Sequence, residues 1–180
     1  ALVLLAQRKP DDAERDLNAL PANLKDQPTV RYLRALVAFQ RNDLGQTAEP
    51  LDYVLRVDAN QPQALLLYGA VSYAKGDYQL ADDFLARLGA GREVPIAIRK
   101  LQAATKLKLR RYGEAVQLLE QAVKADPDDA QLLALLGTAY MQAGDPGKGS
   151  ETLARAVELD PKQAALRTQL ALGRLASGDA

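Results

Sequence analysis

The 180-residue sequence contains no cysteine, no histidine and no tryptophan, and a single methionine. Without cysteine there is no disulfide, no thiolate nucleophile and no zinc–thiolate site, and such a chain suits a reducing or an oxidising compartment alike. Without histidine, the side chain best suited to proton transfer near neutral pH is missing. An excess of one charge is missing too: 23 Lys plus Arg stand against 23 Asp plus Glu, for a formal net charge of zero. That removes the overall basic field on which a non-specific nucleic-acid binder relies. No apolar run approaches the roughly 18–20 residues of a membrane span. The apolar start from Ala1 to Ala6 has no positive flank before it and does not read as a signal peptide. The expectations are no nucleic acid, no membrane span in this stretch, no metal and no cofactor. What is present, 48% hydrophobic and 26% charged residues, is ordinary for a packed soluble core.

An internal period organises the chain. Steps of 34 residues from Leu17 reach Leu51, Leu85, Leu119 and Leu153. The same step from Ala1 reaches Ala35, Gly69, Ala103, Gly137 and Ala171, and a third column runs Ala13, Thr47, Ala81, Ala115 and Gly149. The stretch Ala130–Gln163 carries Leu133, Leu136-Gly137 and Tyr140, then Gly149, Leu153 and Pro161. Its spacing resembles the tetratricopeptide signature, with Leu in place of Trp and Gly in place of Ala. Small residues let two antiparallel helices approach while the leucines fill the seam. Gly76-Asp77, Gly144-Asp145, Gly178-Asp179 and Asn42-Asp43 recur at one phase, where Gly or Asn ends a helix and Asp caps the next. Pro10, Pro28, Pro62 and Pro95 sit where a first helical turn tolerates them.

The expected fold is all-α: a right-handed superhelical solenoid of antiparallel helix pairs forming a single array over residues 1–180. Full units are expected at Pro28–Gln61, Pro62–Pro95, Ile96–Asp129 and Ala130–Gln163. Residues 1–27 read as the end of an earlier unit and residues 164–180 as the first helix of a later one. This predicts a fragment of a longer solenoid whose flanks hold targeting signals or further domains.

Two stretches depart from the rule. In Leu88-Gly89-Ala90-Gly91-Arg92-Glu93-Val94-Pro95, two glycines replace helix formers, which predicts a shortened second helix and either a local loop variant or a hinge. The next helix crowds Arg99, Lys100, Lys106, Lys108, Arg110 and Arg111 around Leu101, Leu107 and Leu109. Arg110-Arg111 stands where other units carry Gly-Asp, and Arg31 and Arg167 share the phase of Arg99. Either the basic stems snorkel over apolar neighbours with their heads in water or on carboxylates, or Lys100, Lys106, Lys108, Arg110 and Arg111 form a patch for an acidic peptide or anionic polysaccharide. Catalysis is not expected. Asp11-Asp12, Asp82-Asp83 and Asp128-Asp129 are sequence neighbours that diverge by about 100° on a helix, and Ser72, Ser150 and Ser177 have no imidazole partner.

The tetratricopeptide resemblance implies that first helices line a concave groove for a protein or peptide partner. The matching positions are Tyr32, Leu36 and Phe39; Leu66, Ala70 and Tyr73; Lys100, Ala104 and Leu107; Ala134, Thr138 and Met141. The candidate contacts are Tyr32, Leu36, Leu66, Ala70, Tyr73, Lys100 and Thr138. An apolar groove of this kind suits a helix or an extended peptide. For Phe39, Tyr73, Leu107 and Met141, cover by neighbouring units is an equal alternative. Members that grip a C-terminal carboxylate use Lys and Asn at these phases; one lysine, Lys100, and no asparagine disfavour that mode here.

Longer phrases, from Tyr32 to Gln40, from Ala64 to Ala70 and from Arg167 to Asp179, are similar to large tetratricopeptide proteins, often lipoproteins. These belong to the PEP-CTERM/exosortase sorting system of exopolysaccharide-making Gram-negative bacteria. That resemblance implies a periplasmic or outer-membrane-associated scaffold for protein sorting or polysaccharide export. The lipobox and signal peptide of such proteins are not among these residues, which leaves the cytoplasm open. A purely structural spacer is the remaining alternative.

Overall fold

A computed structural model of the protein describes residues 1–89 and 94–178. Its regular elements are helices, without a strand among the described residues. The chain divides into two compact units, Ala1–Arg92 and Glu93–Ala180. The first contains α1 (Leu2–Ala6), α2 (Pro10–Asn18), α3 (Ala22–Lys25), α4 (Pro28–Gln40), α5 (Ala48–Val57), α6 (Pro62–Lys75) and α7 (Tyr78–Ala86). The second contains α8 (Ile96–Lys108), α9 (Tyr112–Ala125), α10 (Ala130–Gln142), α11 (Pro146–Leu159) and α12 (Ala164–Ser177). From α4 onward the first helices of the pairs begin 34 residues apart, at Pro28, Pro62, Ile96, Ala130 and Ala164.

In each pair one leucine of the second helix fills the space over a small residue of the first. Leu17, Leu51, Leu85, Leu119 and Leu153 are all essentially inaccessible to solvent. Leu51 clusters with Ala35 and Leu119 with Ala103. A methyl group added at Gly69 would come within 2.6 Å of Leu85, and one at Gly137 within 2.7 Å of Leu153. Between α10 and α11 the backbones themselves close in: a Cβ at Gly137 would lie 3.0 Å from the Gly149 carbonyl oxygen, and one at Gly149 would lie 3.0 Å from that of Gly137. The column of Ala13, Ala81 and Ala115 is fully buried, and so is its threonine, Thr47. Its hydroxyl donates to the Leu44 carbonyl at 2.8 Å, so this buried oxygen is paired.

The turns inside the pairs share one geometry. Arg8, Asn42, Gly76, Arg110, Gly144 and Gly178, spaced by 34, all adopt positive φ between 57° and 88°. The residue after the turn donates its N–H back into the preceding helix in five copies: Lys9 to Leu4, Asp43 to Ala38, Asp77 to Ser72, Arg111 to Lys106 and Asp145 to Tyr140, at 2.8–3.0 Å. This backward bond satisfies a carbonyl that a helix end would leave orphaned. Glycine accepts the left-handed conformation without cost and asparagine with little; Arg8 and Arg110 hold it against a side-chain penalty.

Two local expectations need correction. Of the aspartates after the turns, Asp145 caps the next helix through its side chain, accepting from the Lys148 N–H at 3.1 Å, whereas Asp43 and Asp77 make no such bond. Asp179 lies outside the described residues. Pro10, Pro28 and Pro62 open their helices, but Pro95 flanks α8 in an extended conformation, φ −55° and ψ 145°. α7 is short, passing at Arg87–Gly89 into a 3₁₀ turn, as glycine-rich sequence predicts; the rest of the expected hinge falls on residues 90–93, outside the described residues.

Gly137→Ala is expected to destabilise the protein by about 1–3 kcal/mol through overpacking against a backbone carbonyl. Gly69→Ala should cost less, because a side chain, Leu85, is what must shift. Urea unfolding of the two variants side by side checks that order. Arg110→Gly should stabilise by roughly 0.5–1 kcal/mol, the left-handed penalty of an L-residue less the backbone entropy that glycine adds to the unfolded chain.

Candidate functional site

The seven expected groove residues fall into two sets, one in each unit. In the first unit, Tyr32 and Leu36 stand half-buried on α4, packed on the cluster that includes Ala35, Leu51, Val54 and Leu67. Burial alone raises the Tyr32 phenol above its ordinary pKa. Leu66, Ala70 and Tyr73 are half-buried on α6, as is Tyr68, while Leu65 and Leu67 are sealed at 1% and 5% exposure. The Tyr73 ring meets Tyr78 edge-on, with centroids 5.4 Å apart. Phe39 packs on the same cluster as Tyr32, in line with cover by neighbours.

In the second unit the candidates are Lys100 on α8 and Thr138 on α10, both half-buried. The Thr138 hydroxyl donates to the Ala134 carbonyl one turn back at 2.9 Å. The Lys100 ammonium is bound to the Asp129 carboxylate, which also accepts the Leu132 N–H at 2.9 Å as the cap of α10. Burial works against the charged carboxylate, yet the lysine and the N–H outweigh it and hold the Asp129 pKa below its ordinary value. Lys100 is thus a tie between the α8 and α10 helices. Farther along α8, Lys106 pairs with Glu114 at 2.6 Å and holds that carboxyl below the usual range. Arg110 is exposed, and with Arg111, Tyr112 and Glu114 it borders a shallow depression next to Ala143. Lys100 and Lys106 therefore already hold carboxylates, as snorkelling stems would.

Two phenols are tied to carboxylates. Tyr140 donates to Glu120 at 2.5 Å, with the Lys148 ammonium 5.6 Å from its ring centre. Tyr68 stacks on Phe84 with centroids 4.1 Å apart. Burial first, then the neighbouring carboxylate (Glu120 for Tyr140, Asp52 for Tyr68), pushes each phenol up to about 12. Among the described residues, no group of three or more acidic side chains is placed to hold a metal ion. No helix among the described residues is long and apolar enough to cross a membrane.

One concavity was not foreseen. It lies in the first unit on the other side of α4, with Arg31, Arg34 and Arg41 in its wall. The signal for it was Pro50, which cannot sit deep inside a helix and delays the start of α5 to Ala48.

Helix pairs locked by a leucine over a small residue, repeated every 34 residues with one turn geometry, define an all-α helical-repeat scaffold. The chain belongs to the tetratricopeptide repeat family, whose sequence profiles match residues 1–62 and 106–173. It is 31% identical over 151 residues to cellulose synthase operon protein C of Xanthomonas axonopodis pv. citri, covering 74% of this chain and 10% of that protein. It is 45% identical over 49 residues to the protein of the same description from Escherichia coli K12, covering 27% and 4%. The chain thus spans a tenth or less of the length of these relatives. Among solved structures it resembles MamA from Desulfovibrio magneticus RS-1, with a TM-score of 0.79 and 26% identity over 84% of this chain and 86% of that one. It shares its fold with YrrB, a tetratricopeptide protein with an unusual peptide-binding site, at a TM-score of 0.76 and 20% identity over 86% and 80%.

The raised phenols give a prediction at alkaline pH. Tyr68 and Tyr140 stay protonated in the folded protein while their unfolded counterparts ionise near 10. Their contribution to stability is complete below pH 10 and is lost as pH rises from about 10 to about 12. Ultraviolet titration of the phenolates should show these two ionising last, and Tyr140→Phe should remove one of the two late steps.

Proposed function

We propose that this chain is a non-catalytic scaffold that holds a peptide or helix of a partner protein against the groove face of its first helices. The observation that carries the reading is the half-buried row Tyr32, Leu36, Leu66, Ala70 and Tyr73 on α4 and α6. These side chains rest on a packed core on one side and keep apolar and aromatic surface on the other, which is what docking of a helix or extended peptide requires. Within the second unit, Lys100 and Thr138 hold the corresponding positions of α8 and α10. Tetratricopeptide membership supports the class of function.

The setting we infer is an exopolysaccharide export system of a bacterial envelope, periplasmic or outer-membrane-associated. Kinship with cellulose synthase operon protein C favours polysaccharide synthesis and export, while the PEP-CTERM sorting and lipoprotein elements rest on the sequence phrases alone. An anionic polysaccharide on Lys100, Lys106, Lys108, Arg110 and Arg111 has less in its favour, because Lys100 and Lys106 already hold Asp129 and Glu114.

The test is capture from an extract of the source bacterium on the immobilised chain, at low and high salt. A protein partner that survives high salt is expected, with capture reduced at least tenfold by Leu66→Glu, since burying an unpaired carboxylate costs several kcal/mol. Unchanged circular dichroism of the variant shows that the array still folds. Capture of acidic polymer that salt releases, and that Lys106→Ala and Arg110→Ala abolish, would overturn the proposal.

A further inference from the structure

The chain has no cysteine and a single methionine, so the Met141 thioether is its only sulfur. Met141 stands near the end of α10 and is half-buried. Its side chain lies over two buried glycines, one on each of the next two helices. A Cβ at Gly149 of α11 would come within 2.7 Å of Met141 Cγ and Sδ. One at Gly173 of α12 would lie 3.5 Å from the same sulfur. The earlier repeats fill these places differently. Phe39, Tyr73 and Leu107 hold the phase of Met141, with Thr47, Ala81 and Ala115 at the phase of Gly149. Val37, Val71, Thr105 and Ala139 hold the phase of Gly173. Around the methionine both neighbouring positions have lost their side chains, which leaves a notch walled by backbone.

This notch suits a thioether and not its oxidised form. The sulfur is apolar and polarisable, and it packs on bare backbone. A sulfoxide carries a polar oxygen that needs a hydrogen-bond donor when buried. The Gly149 N–H already donates to the Asp145 carbonyl at 3.0 Å. Gly173 lies inside α12, where helical bonding takes its N–H. The Leu153 side chain and the Ser150 Cα, which also border Gly173, have no proton to give. The added oxygen finds no free N–H among these residues, and the side chain must leave the notch. α12 packs on α10 and α11, and between residues 171 and 176 Gly173 alone is buried. The hold on this end of α12 therefore rests on the contact that oxidation removes.

We propose that Met141 is a modification site for a peroxide oxidant, and that its sulfoxide releases residues 171–176 of α12 from the array. The sulfur lone pair attacks one oxygen of hydrogen peroxide, and the S–O bond forms as the O–O bond breaks. The departing hydroxide takes the proton of the transferred oxygen and leaves as water. Sulfur gives up two electrons and the peroxide accepts them. Methionine sulfoxide reductases reverse such a change. The site does not depend on the partner proposed for the groove of the first unit.

The test treats the folded protein with hydrogen peroxide, verifies one added oxygen by mass spectrometry, and follows amide hydrogen exchange. Exchange at residues 171–176 should speed up about tenfold, the scale of one unpaired buried acceptor, while residues 48–57 stay unchanged. Methionine sulfoxide reductases A and B together should restore slow exchange. Met141→Leu, which places here the residue that Leu107 supplies at this phase, should keep α12 protected and indifferent to peroxide. Met141→Gln, which carries a polar carbonyl without oxidation, should speed exchange of the same amides. Three results would each overturn the assignment. One is an added oxygen with unchanged exchange at 171–176, and another is equal loss of protection in peroxide-treated Met141→Leu. The third is a folded Met141 that resists peroxide able to oxidise the urea-unfolded chain.

Discussion

A leucine lying over a small residue, sixteen positions before it in the chain, is the contact on which the rest of this structure depends. Leu51 over Ala35, Leu85 over Gly69, Leu119 over Ala103 and Leu153 over Gly137 bring the two helices of each pair close enough to exclude water from the seam. Each buried leucine contributes about 1.5–3 kcal/mol of transfer free energy, and truncating it would leave a cavity that the close-packed neighbours cannot fill. Where both small positions are glycine, at Gly137 and Gly149, the approach reaches the backbones themselves. The groove residues depend on this contact, since it orients the half-buried face of the first helix.

The turn is the second fixed element. The chain can reverse within two residues only by passing through a left-handed conformation, which is why Gly, Asn and two arginines occupy it at φ 57–88°. The arginines show that the geometry is imposed by helix packing and the backward backbone hydrogen bond rather than by the preference of the turn residue. Local strain of this size is tolerated when the contacts on both sides over-determine the turn.

Thr47, Arg99 and Lys100, polar at phases where other units carry apolar residues, each have a partner. Thr47 in the small-residue column bonds the Leu44 carbonyl. Arg99 takes the Val94 carbonyl at 3.1 Å and Gln121, where the equivalent Leu65 and Leu133 are simply buried. Lys100 joins α8 to the cap of α10.

The sequence by itself determined the period, the helix pairs, the turn positions and the leucine and small-residue columns. Each of these follows from spacing, and spacing along a helix is local geometry. It also indicated the face of α4 and α6 that stays half-buried, because Tyr32, Leu36, Leu66 and Tyr73 keep one phase. Only the tertiary structure decided which cations are already paired, since Asp129 lies 29 residues from Lys100 and Glu114 meets Lys106 across a turn. It alone decided that Arg8 and Arg110 accept positive φ and that Asp43 and Asp77 leave their helices uncapped. The cavity beside Pro50 belongs to the same class: the proline is visible in the sequence, but the space it opens exists only between α2, α4 and α5. Ion pairs and cavities depend on distances between helices, and no periodicity encodes those distances.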